Sequence, residues 1–259
     1  MIIINSLDNK RVKELVRLRK TNFRKEKDVF VIDGKREIEM ALKAGIIIKE
    51  LYYCPELIKG GINKINQTSL NLIEVSERVL KAICYKERPD GFLALAQRSS
   101  LKLENIKLSD NPLLIILESV EKPGNIGAIL RTAYAVGVDA VIINDNKTDI
   151  YNPNIIRASE GHLFTNQIAI CSHKETLQYL KNNKISSFAA ATSGSKDYTR
   201  VSFKGATAIV LGSESEGLSK DWLKETNQLI KIPMQKGIDS LNVSVSAAVI
   251  LFEALRQRK

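Results

Sequence analysis

The sequence predicts two successive α/β layers, a small basic one followed by a larger one built on a parallel sheet. Three observations carry this. Helical and extended patterns alternate over the first hundred residues. From residue 113 the extended runs become longer and almost wholly apolar. Positive charge is concentrated early: residues 1–108 hold 22 Lys and Arg against 14 Asp and Glu, and residues 109–259 hold 17 against 15.

In the first layer "VKELVRLRK" has helical spacing, "VFVID" is extended, and "REIEMALKAG" is a helix carrying Ile38, Ala41 and Leu42 and closed by Gly45. "KELYYC", "LIEVS", "RVLKAICY" and "FLALAQR" continue the alternation of short strands with helices of about ten residues. The polar, weakly periodic "SSLKLENIKLSDNP" then ends at Pro112. Residues 101–111 are the candidate linker between a domain of residues 1–100 and one of residues 112–259.

The second layer repeats apolar strands with helices between them: "LLIILES", "AVIIND", "QIAICS", "FAAAT", "AIVLG" and "LIKIPM". Near-continuous apolar runs of this kind fit a parallel sheet covered on both faces.

Composition narrows the function classes. With 44 % apolar residues the chain has the material for a packed core. It has no apolar run of membrane-spanning length, and "MIIINSLDNK" is too short for a secretory signal, so a soluble, unexported, cytoplasmic protein without a membrane partner is expected. Cys54, Cys84 and Cys171 are scattered, and His162 and His173 have no ligand-spaced neighbours, so neither a disulfide framework nor a metal site is expected. Residues 10–36 carry eleven basic side chains against four acidic ones. Such a stretch steers a polyanion, with Lys10, Arg11, Arg17, Arg24, Lys35 and Arg36 as candidate contacts. A merely solvated helix face is the competing reading.

In open parallel sheets the ligand crevice lies beyond the carboxyl ends of the strands, which selects three loops. The first, "EKPGNIGAILRTAYAVG", predicts a helix over 126–136 with Asn125 as its N-cap and Gly137 as its terminator. Arg131 falls off the stripe of Ile126, Ile129, Leu130, Ala133 and Val136, one turn above Gly127. Helical side chains lean toward the N-terminus, so its guanidinium is expected at the loop mouth. The second loop, "GSESEG", places Glu214 and Glu216 among glycines. Carboxylates repel phosphate and suit a neutral or cationic ligand. A dinucleotide fold is the alternative, but "GNIG" is only half of its glycine signature. The third loop opens the closing helix with Ser240 and Asn242 flanking Leu241. Capping accounts for one of those polar residues more readily than for both.

Together "NIGAILRTAYAVG", "IVLGSESEGL" and "IPMQKGIDSLNVSVSAAVILFEALRQR" resemble the three motifs of the SpoU, or TrmH-like, RNA ribose methyltransferases of the SPOUT class. "SLDNKRVKELVRLRK", "VFVIDGKREIEMAL" and "GFLALAQR" resemble the RNA-binding domain often fused ahead of it. The resemblance implies a SPOUT domain with a C-terminal trefoil knot, S-adenosyl-L-methionine as cofactor, and a homodimer. It implies Arg131 as the catalytic arginine, with Asn125, Glu214, Ser240 and Asn242 in support. Gly212, Ile232 and Leu241 would contact the cofactor, with Thr192 as a further candidate, and "IIRASEGHLF" would bring Arg157 to the RNA near the site. Many relatives have Asp where this chain has Lys122. The implied reaction is methylation of a ribose 2′-hydroxyl. The appended domain favours large-subunit ribosomal RNA over transfer RNA, with a nicotinamide-dependent oxidoreductase and a non-catalytic RNA-binding module as remoter alternatives.

Overall fold

The computed structural model describes residues 2–58 and 70–259, which divide into two compact units.

The first unit contains residues up to 100. Its strands are β1 (Ile2–Ile4), β2 (Val29–Asp33), β3 (Ile48–Tyr53), β4 (Leu72–Val75) and β5 (Phe92–Gln97). Its helices are α1 (Lys10–Arg17), α2 (Thr21–Lys27), α3 (Lys35–Lys43) and α4 (Glu77–Ile83). The sheet order is β1-β4-β3-β5-β2, parallel across β1, β4 and β3 and antiparallel where β5 meets β3 and β2. Val12, Leu15 and Leu18 pack with Val79, Leu80 and Ile83 and with strand side chains in one apolar cluster. Gly45 closes α3 with φ +76°. Its amide donates to Leu42 O at 3.0 Å, and that of Ile46 to Ala41 O at 3.0 Å. Two elements, β1 and α2, have no counterpart in the sequence expectations. "TNFRKEK" offers Phe23 as its sole apolar residue, and what roots α2 is a buried arginine.

The second unit has strands β6 (Leu113–Glu118), β7 (Ala140–Asn144), β8 (Ile168–Ile170), β9 (Ser186–Ala190), β10 (Lys196–Asp197), β11 (Thr207–Leu211) and β12 (Gln228–Lys231). Every pairing is parallel, in the order β10-β12-β9-β11-β6-β7-β8. The buried apolar runs of β6, β7 and β11 are its centre. Helix α5 spans Pro123–Val136 and ends at Gly137 with φ +80°. Helix α6 is Pro153–Ala158, α7 His173–Asn182, α8 Lys220–Glu225 and α9 Val243–Arg258.

Two boundaries differ from the expected 101–111 linker and unbroken 112–259 domain. Leu103, Ile106 and Leu108 pack against the core of the second unit, and the Ile170 amide donates to Leu101 O at 2.8 Å. The irregular spacing of these apolar residues hides a segment laid along a core. Residues 149–165, including α6, belong to the first unit. Asp149 is buried between Arg24 Nε at 2.7 Å and Arg98 Nη1 at 3.0 Å, and Tyr151 and Phe164 stack on Phe30 with centroids 4.3 and 5.9 Å away.

Candidate active site

Three strands that are neighbours in the second sheet, β12, β9 and β11, end at one cavity of about 370 Å³. Residues 190–193 after β9, 211–218 from the end of β11 onward, and 232–246 after β12 contribute to its walls.

The middle loop is shaped by its glycines. Ser213 and Gly217 exchange backbone hydrogen bonds of 3.0 and 3.1 Å, and Gly217 adopts φ +69°, a conformation that favours glycine. A Cβ on Gly212 would lie 2.2 Å from the Gly217 carbonyl group. The same economy is seen at Gly194, where a Cβ would stand 2.4 Å from the Ile230 carbonyl, holding the 191–194 turn against β12. Glu118, 8 % exposed at the end of β6, accepts the Ser219 amide at 2.8 Å. Ser219 in turn caps α8 through the Trp222 amide at 3.3 Å. Sequence reasoning missed Glu118; the available signal was a carboxylate closing an otherwise apolar strand.

All four expected cofactor contacts, Thr192, Gly212, Ile232 and Leu241, line this cavity, and so do Glu214 and Ser240. Asn125 and Asn242 join them through Glu214. The Asn125 side-chain amide donates to the Glu214 carboxylate, and the Asn242 amide donates to Asn125 Oδ1 at 3.2 Å. The three chemistry-bearing loops thus meet in one hydrogen-bonded row.

Asn125 is not the N-cap expected from the sequence. Pro123 occupies the first turn and Lys122 the cap position, without a side-chain capping bond. Proline suits that turn because its missing N–H would have no helical partner there. Asn125 is thereby moved inside the helix and its amide points to Glu214. Asn242 does cap α9, accepting the Ser244 amide at 2.9 Å, while Ser240 stands in the cavity wall. Arg131 lies on the exposed face of α5, off the buried stripe of Ile126, Ile129, Leu130 and Ala133.

The cavity is electrically one-sided. Glu214, Glu216 and Asp239 line it, and no Lys or Arg is among the described residues that do. Such a wall stabilises a cation and disfavours a pyrophosphate. No group of three or more His, Cys, Asp or Glu able to hold a metal occurs among the described residues, and none of their helices is long and apolar enough to cross a membrane.

The residues expected to meet a polyanion separate into different environments. Lys10 and Arg17 are exposed on α1, and Arg11 is partly buried. Lys35 lies 3.8 Å from Glu39, and Arg36 2.6 Å from Glu160. Arg24 must be removed from the set. Its side chain is 1 % exposed, and besides Asp149 it donates to Leu18 O at 2.7 Å, Arg19 O at 2.9 Å and Thr21 Oγ1 at 3.0 Å. Arg157 is exposed on α6 in the first unit.

Two family models match the chain. The family model described as the SpoU rRNA Methylase family matches residues 112–252, and the MRM3-like substrate binding domain matches residues 9–94. The Bacillus subtilis (strain 168) 23S rRNA (guanosine(2553)-2'-O)-methyltransferase RlmP is 26 % identical over 249 residues, covering 96 % of this chain and 97 % of that one. A crystal structure of an RNA 2'-O ribose methyltransferase superposes with a TM-score of 0.87 at 38 % identity over 99 % of both chains. The AdoMet-bound rRNA methyltransferase of Sinorhizobium meliloti gives 0.90 at 28 % identity, covering 98 % of this chain and 97 % of that one.

Proposed function

The chain belongs to the SpoU rRNA methylase family, and from that premise we propose that it transfers the methyl group of S-adenosylmethionine to a ribose 2′-hydroxyl of large-subunit ribosomal RNA. The observation that carries the reading is the acidic, glycine-shaped cavity at the ends of β9, β11 and β12, joined through Glu214 to Asn125 and Asn242. Its residues fit the cofactor, because a wall with three carboxylates suits a sulfonium and the bare Cα of Gly212 lets the Gly217 carbonyl close the loop that shapes the cavity.

Thr192, Gly212, Ile232 and Leu241 would hold the cofactor, which when bound supplies an electrophilic methyl group on a positively charged sulfur. Asn125, fixed by Glu214 and Asn242, orients the incoming ribose, and Ser240 offers a further hydroxyl from the cavity wall. Holding the two reactants in line removes several kcal/mol of barrier. A guanidinium is already protonated and does not take a further proton. Arg131 therefore acts as a clamp on the RNA phosphate beside the target ribose. That phosphate would accept a hydrogen bond from the hydroxyl, whose proton would pass to solvent as the methyl–sulfur bond breaks in favour of oxygen, its electron pair staying on sulfur.

The reading extends to the trefoil knot, supported by convergence of the loops after three adjacent parallel strands. It extends also to a homodimer, supported by the exposed Tyr134 on α5 and the exposed Val245 and Phe252 on α9, two helices that pack together. A ribosomal substrate would place the protein in the cytoplasm, and Arg157, Lys10, Arg17, Lys35 and Arg36 among its RNA contacts. Incubation with labelled S-adenosylmethionine and separated RNA fractions, followed by mapping of the modified nucleotide, tests the activity. Label confined to transfer RNA, or no label, would refute it.

A further inference from the structure

The first unit holds a second cavity, of about 290 Å³, enclosed by α1, α2 and the strands β2, β3 and β5. Leu15, Leu18, Val29, Leu95, the Phe23 ring and the buried Tyr52 ring form its apolar part. One side is polar. Arg11 and Glu50 stand there together, with Arg11 Nη1 at 3.8 Å from Glu50 Oε1, too far for a hydrogen bond.

Arg11 Nη1 is buried and has no hydrogen-bond partner among the described residues. Leaving such a donor unmet costs about 1–3 kcal/mol, more when the group is charged, and native structures carry few of them. Glu50 is partly satisfied. Its Oε2 accepts the Tyr52 hydroxyl, and burial together with the Glu50 carboxylate holds the Tyr52 phenol above its ordinary pKa, so it remains a donor. That bond leaves Oε1 as the acceptor beside the unmet guanidinium. The cavity therefore presents an apolar slot with an aromatic wall, and on one edge a donor next to an acceptor.

We propose that this cavity seats one unpaired lactam base of the RNA substrate, guanine or uracil. Arg11 donates to the ring carbonyl, Glu50 accepts from the adjacent ring N–H, and the base lies against Phe23 and the leucines. Unpaired RNA bases are commonly read in this manner, by stacking and by their Watson–Crick edge. Guanine and uracil each place a carbonyl beside a ring N–H. Adenine and cytosine present a ring nitrogen lone pair instead, which would face the Glu50 carboxylate and repel it. Arg11 is then a base-reading residue rather than a phosphate contact. The inference rests on RNA being the substrate and adds a base-selective point of attachment outside the methyl-transfer site.

The test uses the full chain and fluorescent ten-nucleotide homopolymers U10, A10 and C10, with affinity read by anisotropy at fixed salt. U10 should bind about tenfold tighter than A10 or C10, the worth of one charge-assisted bond, and GMP should displace it where AMP does not. Glu50→Gln, whose amide can also donate, should erase the preference for U10. Arg11→Ala, at a half-exposed position that leaves the fold intact, should weaken U10 more than A10. Equal binding of the three homopolymers, an unchanged ratio in Glu50→Gln, or an equal loss on all three in Arg11→Ala would overturn the base seat. Methyl transfer to total ribosomal RNA, measured on the same preparation, separates the two readings. Label without base preference overturns the seat alone, whereas a U10 preference without label supports the seat and counts against the methyltransferase reading.

Discussion

In the second unit three carboxylates line an open cavity, and one of them, Glu214, is held by the neutral amide of Asn125. In the first unit Asp149 has a side chain that is 0 % exposed, between two guanidinium groups, one of them as deeply buried. Charge type alone does not separate a binding group from a structural one. What separates them is whether neighbouring side chains and carbonyls complete the group. Arg24 has four of its five N–H donors taken by Asp149, Thr21 and two carbonyls, and its side chain is buried, so it is closed to a ligand. No Lys or Arg is among the described residues of the cavity wall, so its carboxylates are open to a cationic ligand.

The largest expected effect breaks the buried side of the comparison. Arg24→Ala leaves Asp149 with Arg98 alone in an interior site, and removing one partner of a buried ion pair costs about 3–5 kcal/mol. Hydrogen exchange of the α2 and 149–165 amides should accelerate accordingly. Unchanged protection would mean that the stack of Phe30, Tyr151 and Phe164 secures the segment by itself. On the open side, Gly212→Ala drives a Cβ into the Gly217 backbone. Relieving such an overpacked contact costs up to about 3 kcal/mol. S-adenosylmethionine affinity by calorimetry should then fall by up to about 100-fold, and the melting temperature should drop by several degrees.

Arg131→Lys comes next. It keeps the charge and loses the planar fork that matches a phosphate, so methyl transfer should drop by more than about tenfold with cofactor affinity unchanged. Near-normal turnover would remove the clamp role and leave the Asn125–Glu214–Asn242 row as the sole positioning device.

These contrasts also mark what was legible in the sequence. The second sheet was readable because fully buried parallel strands must be apolar throughout, and "LLIILE" and "TAIVL" are. The buried stripe of α5 and its stop at Gly137 were readable because both follow from local spacing. The cavity residues were reachable from the rule that ligands sit at strand ends, even though Asn125 was given the wrong local task. Its partners lie 89 and 117 residues away, and no local pattern encodes them. Helix α2 and the excursion 149–165 were hidden for the same reason. Their anchor is one ion pair spanning 125 residues of sequence, joining an arginine and an aspartate that each look like ordinary surface charge.

That anchor changes how the basic stretch should be tested. Deleting residues 1–100 would strip Asp149, Tyr151 and Phe164 of their partners, so any loss of RNA affinity would mix misfolding with lost phosphate contacts. Lys10 and Arg17 avoid the problem, since both are exposed on α1. The double substitution Lys10→Gln, Arg17→Gln should leave the fold and the cofactor affinity alone and weaken RNA binding by only a few fold at moderate salt. Each lost phosphate contact lowers the slope of log affinity against log salt by roughly 0.7–0.9. The slope should therefore fall by about 1.5 for the pair, equally for every RNA sequence tried. A slope that stays put would assign the charge of α1 to solvation, and with it the steering of RNA to the other exposed cations of the first unit.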